Sequence, residues 1–344
     1  MFKEEKIAKT LLGEVKQYFG DSEIKPVIDL EGAGVHWYCN LKLENHKVSI
    51  YSCDISYHPD EKGRTEEFIV TYFANDQEIS CGRTSNRKEL IESTKEWLGN
   101  KSKEHLYKFD FVDLNLRKFQ KLEREWINEF PDLANTRKVL ENQGSGIVRY
   151  EISTDSRSCW STGVGNHGEV YFGFTWDGCT LFETETKRNE TAEVLKRYLI
   201  DQEAPSSLNK EFSWVPVNDL TKSYEKGEGI KGEFIESWKS IKRFYSGFPE
   251  HSLPNKNKII ELINALVNQG FDKTIRAGQS LTTLMLSKSR RHGLSEHQPF
   301  LAFEFRSERV HIHTEKGEID QLDNIKINEK ILNLIKELEK EPIN

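Results

Sequence analysis

No stretch of this chain approaches the roughly 20 apolar residues that a membrane-spanning helix needs, so the sequence predicts no membrane partner. The first residues, Met1-Phe2-Lys3-Glu4-Glu5-Lys6, lead into a charged amphipathic segment with no apolar signal core, which points to a cytoplasmic protein. Neither sign of charge dominates. A net charge of -7 over 344 residues is too dilute to single out a polyanion or a lipid surface as partner. The five cysteines (Cys39, Cys53, Cys81, Cys159, Cys179) form no CxxC pairs, which excludes the common zinc motifs, and their odd number favours reduced thiols.

What is present is enough for folded domains: 36% hydrophobic and 11% aromatic residues, with 31% charged residues to solvate the surface. A landmark recurs about every 110 to 130 residues, a domain-sized interval. Helical stripes end in Phe19-Gly20-Asp21, Phe130-Pro131-Asp132 and Phe248-Pro249-Glu250. Each is followed by a small-residue turn, Gly32-Ala33-Gly34, Gly144-Ser145-Gly146 or Gly278-Gln279-Ser280, that leads towards strand-like sequence.

The pattern predicts an α+β chain of three tandem two-layer modules, each a helix, three or four antiparallel strands and a helix. The expected bounds are residues 1–100, 108–202 and 232–344. Residues 203–231, with Pro205, Pro216 and Glu225-Lys226-Gly227-Glu228-Gly229, read as a linker, and the third module carries an extra helix near 257–267.

The run Gly163-Val164-Gly165-Asn166-His167-Gly168 spells GxGxxG, yet it precedes a strand rather than a helix. The helix N-terminus that would receive a pyrophosphate is missing, so the run reads as an inter-strand loop. Cys53 with His58, and Cys159 with His167, place thiol and imidazole close in sequence without a third orienting group. Trp97, Trp126 and Trp238 lie on apolar helix stripes and read as core. Trp37, Trp160 and Trp176 fall on strands or loops, where an indole could stack on a base or a partner side chain.

The third module concentrates positive charge. Lys288, Arg290, Arg291 and His292 share one loop, with Lys273 and Arg276 nearby in sequence, and such a cluster suits phosphate oxygens or acidic side chains. His311 and His313 lie two apart on a predicted strand and share a face, where two imidazoles could begin a metal site.

The sharpest enzymatic pattern is Asp177 followed by Glu183-Thr184-Glu185-Thr186-Lys187. It resembles the metal-binding core of the restriction-endonuclease-like nucleases. The resemblance covers these few residues and implies a Mg²⁺- or Mn²⁺-dependent site built from Asp177, Glu185 and Lys187, on a mixed α/β sheet where this region reads as antiparallel. No resemblance spans the chain.

The leading expectation is therefore a non-enzymatic, cofactor-free cytoplasmic binding protein, contacting a protein or a phosphate-bearing partner through the basic loop. A repeat-built protein that occludes a partner would fit a bacterial immunity or defence setting. The alternatives are the metal-dependent nuclease and nucleic-acid binding without cleavage.

Overall fold

A computed structural model describes residues 13–14, 17, 27–29, 38–53, 67–142, 148–164, 169–249, 252–253, 255–291, 293–294, 297–306, 309–322 and 327–344. Among these the chain is α+β, with nine helices and three antiparallel five-stranded sheets, each a simple meander. The contacts divide it into two compact units, Met1–Gly173 with Thr184–Asp201, and Phe174–Glu183 with Gln202–Asn344.

In the first unit, β1 (Val27–Asp29), β2 (Tyr38–Leu43), β3 (His46–Cys53), β4 (Glu67–Ala74) and β5 (Gln77–Thr84) form the first sheet in sequence order. Alternation puts Leu41, Val48, Ile50, Val70 and Tyr72 on one face. That face is covered by Leu90, Trp97 and Leu98 of α1 (Arg87–Leu98). Helix α1 starts because Asn86 caps it, its side chain accepting from the amides of Lys88 and Glu89 at 3.2 and 3.3 Å. Two further bonds fix helix against sheet: the Tyr72 hydroxyl donates to Ser93 Oγ (2.7 Å), and Trp97 Nε1 donates to the Phe73 carbonyl (3.0 Å).

After the short helix α2 (Lys103–Leu106) the chain turns at Asp113, which adopts a left-handed conformation (φ 47°) and starts α3 (Leu114–Glu129). The Asp113 carboxylate is what makes that turn stable. It accepts from the Cys81 amide (3.1 Å) and the Tyr107 hydroxyl (3.1 Å), and pairs with Lys103 (3.1 Å).

The second sheet contains β6 (Arg137–Asn142), β7 (Val148–Ser153), β8 (Arg157–Ser161), β9 (Tyr171–Trp176) and β10 (Cys179–Glu185), and α4 (Arg188–Leu199) follows it. Phe119 of α3 stacks on Tyr150 of β7 with ring centroids 5.0 Å apart. Trp160 is half-buried, its indole lying directly on Gly173, where any Cβ would collide with the ring.

The second unit contains the β9–β10 hairpin tip, Phe174–Glu183. It continues with α5 (Pro205–Glu211), α6 (Asp219–Glu225), α7 (Gly229–Gly247) and α8 (Lys256–Asn268). The third sheet follows as β11 (Arg276–Ser280), β12 (Thr283–Ser287), β13 (Phe300–Arg306), β14 (Arg309–Thr314) and β15 (Gly317–Leu322), and α9 (Glu329–Glu339) comes last. Its core joins Trp238, Tyr245 and Ile263 from the helices to Leu284, Leu286, Phe303 and Ile312 from the strands, with Ile335 of α9 beneath.

The structure differs from the sequence reading at several points. Each sheet has five strands rather than three or four, because short or polar edge strands such as β1 and β15 carry little of the apolar alternation that marks a strand. Residues 203–231 contain α5, α6 and the first turn of α7, whose apolar residues are too few to show a stripe. Gly278-Gln279-Ser280 is not a turn but the end of β11, and the chain reverses at Leu281, where φ is 49°. Phe19-Gly20-Asp21, the glycine turns at 32–34 and 144–146, Glu250, Trp37, His58 and His167 lie outside the described residues.

Candidate functional site

The second unit assembles a charged cluster around Arg290, just after β12. Its Nη2 lies 2.6 Å from the Asp177 carboxylate and 3.0 Å from that of Glu233, and its Nε donates to Glu233 as well (3.1 Å). Glu233 sits on the first turns of α7 with its side chain 4% exposed. The Tyr224 hydroxyl, from α6, donates to the same carboxylate oxygen and accepts from Arg290 at 3.3 Å.

Burial by itself would lower the Arg290 pKa, but bonding to Glu233, Asp177 and Tyr224 more than offsets this and holds it above the ordinary arginine range. Burial, reinforced by Glu233, pushes Tyr224 up, so its hydroxyl stays protonated as a donor. Desolvation and the same carboxylate raise the half-buried Cys179 thiol, which keeps it from being a thiolate nucleophile near neutral pH.

Arg276 opens β11 beside this cluster, and its position is rigidly set. On one side of it the Trp238 indole donates to the Ile275 carbonyl (2.8 Å), and on the other the Ala277 amide donates to Ser237 Oγ (3.0 Å). Both partners belong to α7, so helix and strand are locked together across this residue. Among the described residues the Arg276 guanidinium donates to the Arg290 carbonyl (3.0 Å) and forms no ion pair. Desolvation lowers its pKa, with Glu233 and Cys179 acting in the opposite sense.

Arg276, Arg290 and Arg291 face a cavity of about 350 Å³. Its wall is one face of α7, presenting Glu233, Glu236, Ser237 and Ser240 at helical spacing. Arg291 is exposed and reaches back to donate to the Asp177 carbonyl across Gly178. Gly178 has φ +72°, which favours glycine, and a Cβ there would displace the Arg291 guanidinium.

Of the residues expected to contact a partner, Arg290, Arg291 and Arg276 therefore converge. Lys288 is buried, donating to the Thr274 carbonyl (2.9 Å) beneath the Phe234 ring, so its ammonium is withdrawn from the surface. Lys273 is exposed on a 3-10 turn, and His292 lies outside the described residues.

The D…ExK residues are not brought together as a metal site. Asp177 lies in the turn before β10 and is engaged by Arg290, whereas Glu185 is the last residue of that seven-residue strand. Lys187 is the exposed residue before α4.

His311 and His313 do share a face, with ring centroids 6.4 Å apart. Their nitrogens contact Glu318 (3.1 Å) and Glu304 (3.2 Å) respectively, and the described residues contain no group of three ligands able to hold a metal. Cys159 is wholly buried, and burial lifts its thiol well above the ordinary range. Trp176 packs against Tyr224, with centroids 5.7 Å apart.

Tyr224, Glu233 and Cys179 were not legible as site residues. Tyr224 fell in the supposed linker, and the available signal was a glutamate on the apolar face of α7 beside Phe234, which demands a buried cation somewhere. Among the described residues no helix is long and apolar enough to cross a membrane. No protein-family model, curated protein or solved structure matches this chain.

Proposed function

We propose that the protein is a non-enzymatic binding protein whose contact surface is the arginine-lined cavity of the second unit. The observation that supports this reading is Arg276. A half-buried guanidinium without an ion-pair partner among the described residues has its charge only partly compensated, and an arriving anion would complete it. Arg291 at the rim supplies a second cation, exposed and able to meet a partner first. Arg290 contributes shape rather than free charge, since Glu233 and Asp177 already neutralise it.

The reading is tested with the full chain as bait in lysate, beside an Arg276→Ala/Arg291→Ala variant shown by circular dichroism to be folded. The expected result is a partner retained by the wild type at low salt and lost from the variant. Equal recovery of that partner by both proteins would move the contact surface elsewhere.

A further inference from the structure

The cavity's chemistry is more selective than a general preference for anions. Resting on the binding function proposed above, we infer that the group bound between Arg276 and Arg291 is a carboxylate, carrying one negative charge, rather than a phosphate.

The first reason is charge. Three guanidiniums and two carboxylates line the cavity, leaving an excess of one positive charge. Arg290 is committed to Glu233 and Asp177, and Glu236 pairs with Arg243 (3.1 Å) and Lys239 (3.8 Å) on its outer side. A phosphate monoester carries about -1.5 to -2 charges near neutral pH, more than that excess. A single carboxylate matches the excess.

The second reason is the donor set. Sites for phosphate commonly use backbone amides at a glycine-rich turn or a helix N-terminus. Here the α7 residues on the wall run from Glu233 to Ser240, inside a helix that begins at Gly229, so their amides are spent on the helix itself. The lining also includes Gly178, Cys179 and Thr180, and beside them the planar fork of Arg276 keeps further donors once one has bonded the Arg290 carbonyl; a fork of that kind pairs with a carboxylate through two parallel bonds.

The third reason is rigidity. The bonds from Trp238 and to Ser237 hold the backbone on both sides of Arg276, which favours a fixed planar ligand. The carboxylate could belong to a small organic acid or to an acidic side chain of a protein partner, and the two sources are separable by experiment.

Isothermal titration of the full chain with propionate, with a peptide rich in Asp and Glu, and with inorganic phosphate at matched ionic strength tests the assignment. Saturable binding of propionate or the acidic peptide, weakened about tenfold or more by Arg276→Ala, with phosphate at least tenfold weaker, is the expected result. Binding by propionate assigns a small acid, and binding by the peptide alone assigns a protein side chain. Arg276→Lys should restore only part of the affinity because an ammonium lacks the fork.

Phosphate binding as tight as either carboxylate would overturn the carboxylate assignment and leave the binding function standing. Absence of saturable binding by all three probes, while a captured partner still depends on Arg276 and Arg291, would also overturn it. Absence of both would remove the binding function itself.

Discussion

Asp113 in the first unit and Glu233 in the second are chemically alike: carboxylates with side chains 1% and 4% exposed, each accepting from a tyrosine hydroxyl and each paired with a cation. They differ in what surrounds them. Asp113 accepts from the Cys81 amide, Tyr107 and Lys103, while Lys103 also donates to the Ile79 carbonyl (2.9 Å), so that cluster closes on itself. Around Glu233 there is one cation too many, because Arg276 stands beside the pair without a carboxylate of its own. A balanced buried cluster holds a chain crossing in place, whereas an unbalanced one beside a cavity leaves a binding capacity unfilled.

The largest effect separating the two clusters should come from removing a cation. Arg290→Ala leaves Glu233 buried with Tyr224 alone, and losing one partner of a buried pair typically costs about 3–5 kcal/mol. Lys103→Ala is expected to be milder, about 1–3 kcal/mol, because Asp113 keeps two neutral donors and Lys103 is itself one-third exposed. Urea unfolding of both variants decides the order, and equal losses would mean that the clusters are equivalent.

The unequal legibility of the two clusters follows from how each is built. The α+β class and most strands were readable, because β3, β4, β9 and β13 carry β-branched and aromatic residues with burial to match. Edge strands and the short helices α5 and α6 were not, since their formation depends on neighbours rather than on their own periodicity. Within the site, the basic loop was visible as composition, but composition does not say which charges are spent. Lys288 goes under Phe234 and Arg290 goes to two acids 113 and 57 positions away, leaving Arg276, a strand residue outside the loop, without an ion pair among the described residues.

A smaller effect should distinguish the buried tyrosines of the first two sheets. The Tyr72 hydroxyl donates to Ser93, so Tyr72→Phe should cost about 1 kcal/mol by losing a buried hydrogen bond and leaving Ser93 short of a partner. Tyr150 is equally buried and stacks on Phe119, but its hydroxyl has no hydrogen-bond partner among the described residues. Tyr150→Phe should therefore be neutral or stabilising, with the stacking kept. Thermal unfolding of the two variants side by side tests the contrast, and an equal loss would point to a partner for the Tyr150 hydroxyl.

The smallest stability change should fall on Arg276 itself. Arg276→Ala gives up a hydrogen bond to the Arg290 carbonyl and some stem packing, but it also removes a desolvated cation that has no ion-pair partner in the described structure. These terms oppose each other, so the net change should stay within about 0.5 kcal/mol, the range of an ordinary surface substitution. A ligand that binds the folded protein and not the unfolded chain raises its melting temperature progressively as its concentration exceeds Kd. Saturating carboxylate should then stabilise the wild type and leave the variant unmoved, so that two proteins nearly equal in stability when free become unequal when ligand is added. A large loss in the unliganded variant would instead show Arg276 to be as structural as Arg290, and the contrast between the closed and the open cluster would disappear.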